Sequence, residues 1–369
     1  MKYFIIAGEA SGDLHGSNLI KAIKQQDAGA EFQFWGGDEM NAQAKGLLKH
    51  YKEVAIMGFV EVVMNLRTIF SNIDTCKNQI DTFNPDVVIL IDYPGFNLRI
   101  AEYCKGKNIK TVYYISPKVW AWKENRARKL EQFVDKLLLI FPFEVEYFKK
   151  WNVNATFVGN PLLDAIEQFV PNPAFKIKHS LDNRLIIALM PGSRKQEISK
   201  ILPMMIEATE RYTDYQLVIA GAPGMDPGFY KPYLNKRVSI VFNETYDLLN
   251  LSTAAVVCSG TATLETALFN VPQVCGYIAN SISYAIAKLL VNIKYISLVN
   301  LNLNRNCITE LIQKDFSVAK LTYELDKVLP NGSERERMLK DYAELRTILG
   351  GEGASSRAAK EIISLMQQA

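Results

Sequence analysis

GEASGDLHGSNLIKAIK, residues 8–24, decides how this chain is read. KYFIIA (2–7), an apolar run of strand type, leads into it, and its second half is an amphipathic helical pattern. Strand, glycine-bearing loop and helix therefore follow one another within residues 2–24. Such a unit aims backbone N–H groups and a positive helix end at an anionic or sugar ligand. Gly8, Gly12 and Gly16 are spaced by four, unlike the GxGxxG of dinucleotide-binding loops, which argues against a nicotinamide oxidoreductase. Glu9, Ser11 and Asp13 add polar groups that a plain phosphate cradle does not need. The competing reading is an αβ unit whose glycines only let the helix pack closely. The loop alone does not separate the two.

Outward from this unit the same alternation continues. FIIA (4–7), FQFW (32–35), DVVILI (86–91), TVYYI (111–115), KLLLIF (136–141) and ATFV (155–158) read as strands, with helical patterns at 14–26, 59–82, 97–107 and 142–150. Continuous apolar runs suit strands covered on both faces, and alternation with helices implies a parallel, doubly wound sheet. PNPAFKIKHSLDNR (171–184) breaks the pattern with two prolines and reads as a linker. Alternation restarts with LIIALM (185–190), QLVIAG (216–221), VSIVF (238–242), AAVVC (254–258) and PQVCGYI (272–278). The expected architecture is α/β, with two Rossmann-like domains facing across a cleft at the strand carboxyl ends. The domains are expected over 1–170 and 185–349, followed by a C-terminal helix over 350–369. GGEGASS (350–356) would let that helix cross to the first domain or to another subunit.

Composition narrows the function classes. The 369 residues exceed one ordinary core, and 49% hydrophobic with 22% charged residues describes a globular protein. A net charge of +3 without a basic tract disfavours nucleic acid. Five scattered cysteines and three histidines (15, 50 and 179) show no metal-ligand spacing, so no metal and no cofactor is expected, and a reducing cytosol fits. No apolar stretch reaches transmembrane length uninterrupted, so any membrane contact is peripheral.

Four strand ends carry candidate chemistry. Asp92 closes DVVILIDYPGFN (86–97), where partial desolvation suits a general base and where a helix-capping Asp is equally ordinary. Asn97 is either a site residue or the N-cap of the 97–107 helix. In ALMPGSRKQE (188–197), Ser193 and Gln196 fit a capping box, which puts Arg194 in the first turn. A cation there opposes the helix dipole unless a phosphate joins it, or Arg194 leans back on Glu197. In CSGTATLETALFN (258–270), Ser259, Gly260, Thr261 and Thr263 open a helix in a phosphate-binding manner, and Glu265 is placed to accept both hydroxyls of a ribose. An ordinary capped helix explains the same residues. Trp120 and Trp122 in YYISPKVWAWKENRARK (113–129) either stack on sugar or acyl groups or fill the core. MGFVEVVMNLRTIF (57–70) puts Phe59, Val60, Val63, Leu66 and Phe70 on a wide apolar helical face, either buried or in contact with lipid.

Taken together these stretches resemble the lipid-A-disaccharide synthases, bacterial glycosyltransferases of the GT-B fold. The matching motifs run in order over nearly the whole chain: GEASGD (8–13), MGFVEV (57–62), IDYPGFN (91–97), YISPKVWAW (114–122), FPFE (141–144), FVGNPLLD (157–164), PGSR (191–194), SGTATLE (259–265) and YISLVN (295–300). Two places depart: Asn160 stands where members often carry His, and LNLNRN (301–306) differs from the loop usual after YISLVN.

The resemblance implies transfer of 2,3-diacylglucosamine from UDP-2,3-diacylglucosamine to the 6-hydroxyl of 2,3-diacylglucosamine 1-phosphate. The β-1,6 linkage formed from an α-linked donor implies inversion by direct displacement. By matching motif, Asp92 is the base, Arg194 the diphosphate contact and Asn300 a further nucleotide-side residue, with Glu9 completing the catalytic set. Gly8, Ser11, Gly12, Asp13, Asn97 and Trp120 fall on the acceptor side. The family also implies peripheral association with the cytoplasmic face of the inner membrane, and some members exchange C-terminal segments in a homodimer. The alternative is another GT-B UDP-amino-sugar transferase or a UDP-sugar 2-epimerase. A non-catalytic nucleotide-sugar binder is disfavoured by Asp92 and Arg194 together.

Overall fold

Strand β1 (Lys2–Ala7) is buried from Tyr3 to Ala7 because it lies inside a sheet with helices on both faces. In this computed structural model, which describes residues 1–54, 66–117, 125–278 and 294–367, β1 pairs in parallel with β2 (Glu31–Gly36) and β4 (Val87–Ile91). The first sheet has the order β3-β2-β1-β4-β5-β6-β7, completed by β3 (Leu47–His50), β5 (Lys110–Tyr114), β6 (Lys136–Leu139) and β7 (Ala155–Phe157). All its pairings are parallel, so every strand ends on the same edge. β3 is missing from the sequence reading because LLKH is short and only half-buried.

The second sheet has the order β10-β9-β8-β11-β12-β13 and is again parallel throughout. Its strands are β8 (Leu185–Met190), β9 (Tyr215–Gly221), β10 (Val238–Phe242), β11 (Ser252–Cys258), β12 (Gln273–Tyr277) and β13 (Thr309–Ile312). Central β8 and β11 bury nearly every side chain, as a doubly covered parallel strand must. TELI of β13 sits at the sheet edge and lacks the long apolar run that exposes a strand to sequence reading.

The chain divides into two units, Met1–Asp164 with Leu349–Ala369, and Ala165–Ile348. The stretch read as a linker, 171–184, belongs to the second unit's core. Phe175 is wholly buried and packs with Leu181, Ile186 and Val218, an anchor that outweighs the breaking effect of the two prolines. The tail returns to the first unit of its own chain. The Asp164 carboxylate accepts from the N–H groups of Gly353, Ala354 and Ser355 at 2.7–3.1 Å, capping the helix Ala354–Gln367. The Arg357 guanidinium holds the carbonyls of Val158, Glu352 and Gly350.

Candidate active site

The β1 turn explains its glycines. A Cβ on Gly8 would lie 2.5 Å from the Tyr93 ring, and one on Gly12 would lie 3.2 Å from the Ala7 Cβ. The loop therefore carries both close packing and exposed polar groups: Glu9 and Ser11 face solvent at the start of the helix Ala10–Gln26. Asp13 is a correction. It is 3% exposed, and its carboxylate accepts from the N–H groups of Gly37, Glu39 and Met40, which caps the helix Asp38–Gln43. It joins the ends of β1 and β2 rather than facing a substrate.

At the end of β4 the backbone is strained. Asp92 has φ 43° and Tyr93 φ 48°, two consecutive left-handed residues without glycine, and Pro94 follows at the first position of the helix Pro94–Gly106. Each such residue costs about 1–2 kcal/mol, and proline disfavours helical dihedrals in its predecessor. Four hydrogen bonds offset this. The Tyr113 hydroxyl donates to the Asp92 carbonyl at 2.5 Å, the Asn97 amide donates to the same oxygen at 2.7 Å and to that of Ile91 at 3.2 Å, and the Asp92 N–H donates to the Tyr114 carbonyl. At roughly 0.5–1.5 kcal/mol net each, these bonds are of the size of the strain. Asn97 is thus not the N-cap. It is fully buried inside the helix that Pro94 starts, and its side chain reaches back to the strand end. On the neighbouring strand, Ile115 at φ 67° is a further β-branched outlier just after β5. Strain concentrated at the carboxyl edge of a sheet is characteristic of a functional site.

Two residues on this edge escaped the sequence reading. Ser116, 5% exposed, donates its hydroxyl to the Glu144 carboxylate, 1% exposed, at 2.5 Å. They lie in the SPK and FPFE stretches, which were read only as motif matches. Asn160, the departure in FVGNP, is 1% exposed and accepts from the Leu162 N–H at 3.0 Å, at the start of the helix Pro161–Glu167. It works as a structural residue here.

In the second unit β8 and β11 are neighbours, so the PGSR and SGT turns emerge side by side. A Cβ on Gly192 would lie 3.3 Å from the Cys258 sulfur. The helix after PGSR spans Lys195–Thr209, and its N-cap is Arg194, without a side-chain cap bond. The Ser193–Gln196 capping box therefore does not form. Arg194 is 77% exposed, and its guanidinium donates to Glu197 Oε1 at 3.1 Å. This is the leaning arrangement weighed above, and an exposed pair of this kind is weak enough for an anion to displace.

In the SGT turn the hydroxyls divide. Ser259 donates to the Ile296 carbonyl at 3.1 Å, and Thr263, fully buried, donates to the Gly260 carbonyl at 2.7 Å. Thr263 therefore holds the turn instead of facing a phosphate. Thr261 is exposed at the start of the helix Thr261–Leu268, whose first two N–H groups, of Thr261 and Ala262, have no intrahelical acceptor, while the Thr263 N–H turns back to the Gly260 carbonyl. Glu265 is partly buried, and burial raises its carboxyl to about 6. Burial, and then the nearby Glu265 carboxylate, raises the hydroxyl of the half-buried Tyr246.

Asn300 is also corrected. It is fully buried, and its amide group donates to the Ile308 carbonyl and to Glu310 at 2.9 Å each while accepting from the Cys307 and Ile308 N–H groups. Glu310 receives the Ile296 and Ser297 N–H groups, and Ile296 receives Ser259. Asn300 thus supports the SGT turn through a relay of hydrogen bonds. Glu310, in the strand that sequence reading missed, had no motif to mark it.

Phe59, Val60, Val63, the Leu66 side chain and Trp120, expected at the lipid face and the acceptor side, lie outside the described residues. Phe70 is described. It is 53% exposed with the Arg99 guanidinium 5.1 Å over its ring.

The model of the lipid-A-disaccharide synthetase family matches residues 3–366. The chain belongs to that family. It is a glycosyltransferase by the same finding. Among its relatives is the lipid-A-disaccharide synthase of Geobacter metallireducens, 34% identical over 99% of this chain and 97% of the relative. The fold is that of GT-B glycosyltransferases and their structural kin. A UDP-GlcNAc 2-epimerase from Neisseria meningitidis, solved bound to UDP-GlcNAc, superposes with a TM-score of 0.68, covering 100% of both chains at 13% identity. The glycotransferase of kitacinnamycin superposes at 0.66 with 14% identity, covering 99% of this chain and 98% of that one. At such identities these structures speak for the fold alone, and family membership does not favour the epimerase alternative.

Proposed function

We propose that this protein moves 2,3-diacylglucosamine from UDP-2,3-diacylglucosamine to the 6-hydroxyl of 2,3-diacylglucosamine 1-phosphate, releasing UDP and the β-1,6 disaccharide 1-phosphate. The match to the synthetase family from residue 3 to residue 366 carries this reading. In the mechanism, Asp92 takes the proton of the acceptor hydroxyl as that oxygen attacks the anomeric carbon. The bond to the diphosphate breaks with inversion, and negative charge grows on the departing UDP. Arg194, the exposed Thr261 and the first-turn amides of the 261–268 helix stabilise that charge, electrostatic help that requires no proton transfer. Glu265 accepts the ribose hydroxyls. Glu9 and Ser11 line the acceptor side.

The acylated substrates reside in a lipid surface, and no helix among the described residues is long and apolar enough to cross a membrane. In this reading the protein works as a peripheral enzyme at the cytoplasmic face of the inner membrane, as the family resemblance implies, with the exposed Phe70 and Arg99 at one edge of its lipid contact. A homodimer is compatible with this reading. The direct test is mass spectrometry of the products formed from UDP-diacylglucosamine and diacylglucosamine 1-phosphate. A disaccharide monophosphate together with UDP is expected; unchanged acceptor alongside an epimerised donor refutes the assignment.

A further inference from the structure

The strained turn at the end of β4 offers a residue for the reaction that neither motif nor family marks. We infer that Tyr113 is a positioning residue, its hydroxyl and the Asn97 amide clamping the Asp92 carbonyl so that the Asp92 carboxylate is aimed for proton abstraction. The inference rests on the reading of Asp92 as the base.

Three observations on different elements meet here. Tyr113 lies on β5, fully buried, and its hydroxyl is 2.5 Å from the Asp92 carbonyl oxygen. Asn97 reaches the same oxygen at 2.7 Å from the helix Pro94–Gly106. Between them the chain turns through two left-handed residues, Asp92 and Tyr93, and enters Pro94. In ordinary left-handed turns a glycine removes the strain and no clamp is needed. Here the residue must carry a carboxylate, so glycine is unavailable and the conformation is held from outside. The bonds to the Asp92 carbonyl fix the peptide plane after the Asp92 Cα, while the Asn97 bond to the Ile91 carbonyl and the Asp92 N–H bond to Tyr114 fix the plane before it, and the two planes together set the direction of the Cβ. Burial, then the nearby Asp92 carboxylate, pushes the Tyr113 hydroxyl well above its ordinary range, so it remains a donor throughout the working pH. Misplacing a catalytic group by a fraction of an ångström lowers turnover without touching the binding groups.

Tyr113→Phe keeps the ring and removes only the clamp. With purified full-length enzyme and both acylated substrates, the variant should lose about tenfold in kcat, equivalent to about 1.4 kcal/mol. KM for donor and acceptor should stay within about twofold of wild type. Asn97→Ala, which removes the other donor, should also fall in kcat alone, and it serves if Tyr113→Phe does not fold. The decisive measurement is the same substitution in an Asp92→Asn background. A residue that acts through Asp92 has nothing left to position there, so the second loss should vanish. Full kcat in Tyr113→Phe, or in Asn97→Ala where Tyr113→Phe does not fold, overturns the inference, as does an undiminished tenfold loss in the Asp92→Asn background. If Asp92→Asn is itself fully active, the base assignment fails and the clamp with it. If Asp92→Asn is inactive beside a fully active Tyr113→Phe, only the clamp fails.

Discussion

Replacing Glu265 with Gln should stabilise the protein and impair it at once. Burial raises this carboxyl from 4.5 to about 6, so the folded state prefers the neutral acid. Between these two values the folded chain holds a proton that the unfolded chain has released. Stability from this group is therefore fully present below pH 4.5 and lost as pH rises through about 6. The difference corresponds to about 2 kcal/mol of cost for keeping Glu265 ionised at neutral pH. Glutamine has the same shape and no charge. In the ligand-free protein Glu265→Gln should raise stability by up to about 2 kcal/mol at neutral pH and change little near pH 4. For a unit of the size of Ala165–Ile348 this is roughly 4–8 °C in melting temperature. Calorimetric scans at the two pH values measure it.

The impairment has the opposite pH dependence. An ionised Glu265 accepts ribose hydroxyls better than a neutral one, so nucleoside binding by wild type should tighten as pH rises through about 6. Uridine is the suitable probe, since it carries no phosphate that titrates in the same range. Glu265→Gln should bind it more weakly and without that dependence. Equal destabilisation of Glu265→Gln at both pH values would show that the carboxylate has a compensating partner and refute the burial argument. Wild-type uridine affinity that is flat across the range would remove the ribose contact.

Three further outcomes are expected. Asp92→Asn should lower kcat by about 10²–10⁴ with an unchanged melting temperature, and a near-native rate excludes Asp92 as the base. Arg194→Ala should weaken UDP binding by roughly 10- to 150-fold in titration calorimetry, as loss of a charged phosphate contact does, while EDTA leaves the wild-type rate intact; unaltered UDP affinity or EDTA inhibition each refutes its part. Phe70→Ser should reduce co-flotation with liposomes and raise the KM for acylated acceptor without loss of stability, because the ring is already 53% exposed; unchanged flotation places the lipid contact elsewhere.

The strands of both sheets were legible wherever they run through the middle. VVILI of β4 and LIIALM of β8 are buried on both faces and read as continuous apolar runs. LLKH of β3 and TELI of β13 are edge strands, whose half-exposed faces leave no such mark. Helix starts were less legible. The 94–106 helix begins at Pro94, three residues before the Asn97 start, because proline fits the first helical position and a side-chain cap is not required. The capping box at Ser193 failed for a related reason: the chain stays extended at Arg194, with ψ 134°, and turns helical only at Lys195. Burial in the 171–184 stretch was hidden because its apolar anchors, Phe175 and Leu181, are isolated among polar neighbours.

For the site, motif membership located the right loops and did not distinguish contact from support. Asp13, Asn97, Thr263 and Asn300 all fall in motifs, and all are buried with side-chain hydrogen bonds to backbone groups, Asn97 through its amide nitrogen alone. A ligand contact at any of them would first break bonds worth roughly 1–3 kcal/mol when left unsatisfied in the interior. Glu9, Ser11, Thr261 and Arg194 fall in the same motifs and are exposed. The two groups alternate along the chain: Asp13 follows Ser11, and Thr263 follows Thr261. On a helix opening at a strand end, residues two apart point to different sides, so one side chain is turned inward to hold the backbone while its neighbour faces solvent, where the proposed ligand contact would be made. A motif such as GEASGD or SGTATLE is thus a paired instruction, and its inward half sets where the outward half stands. The strained turn at Asp92 obeys the same logic with the parts on separate elements, since Tyr113 on β5 and Asn97 on the following helix hold the Asp92 carbonyl as Asp13 holds the turn at 37–40 and Thr263 its own.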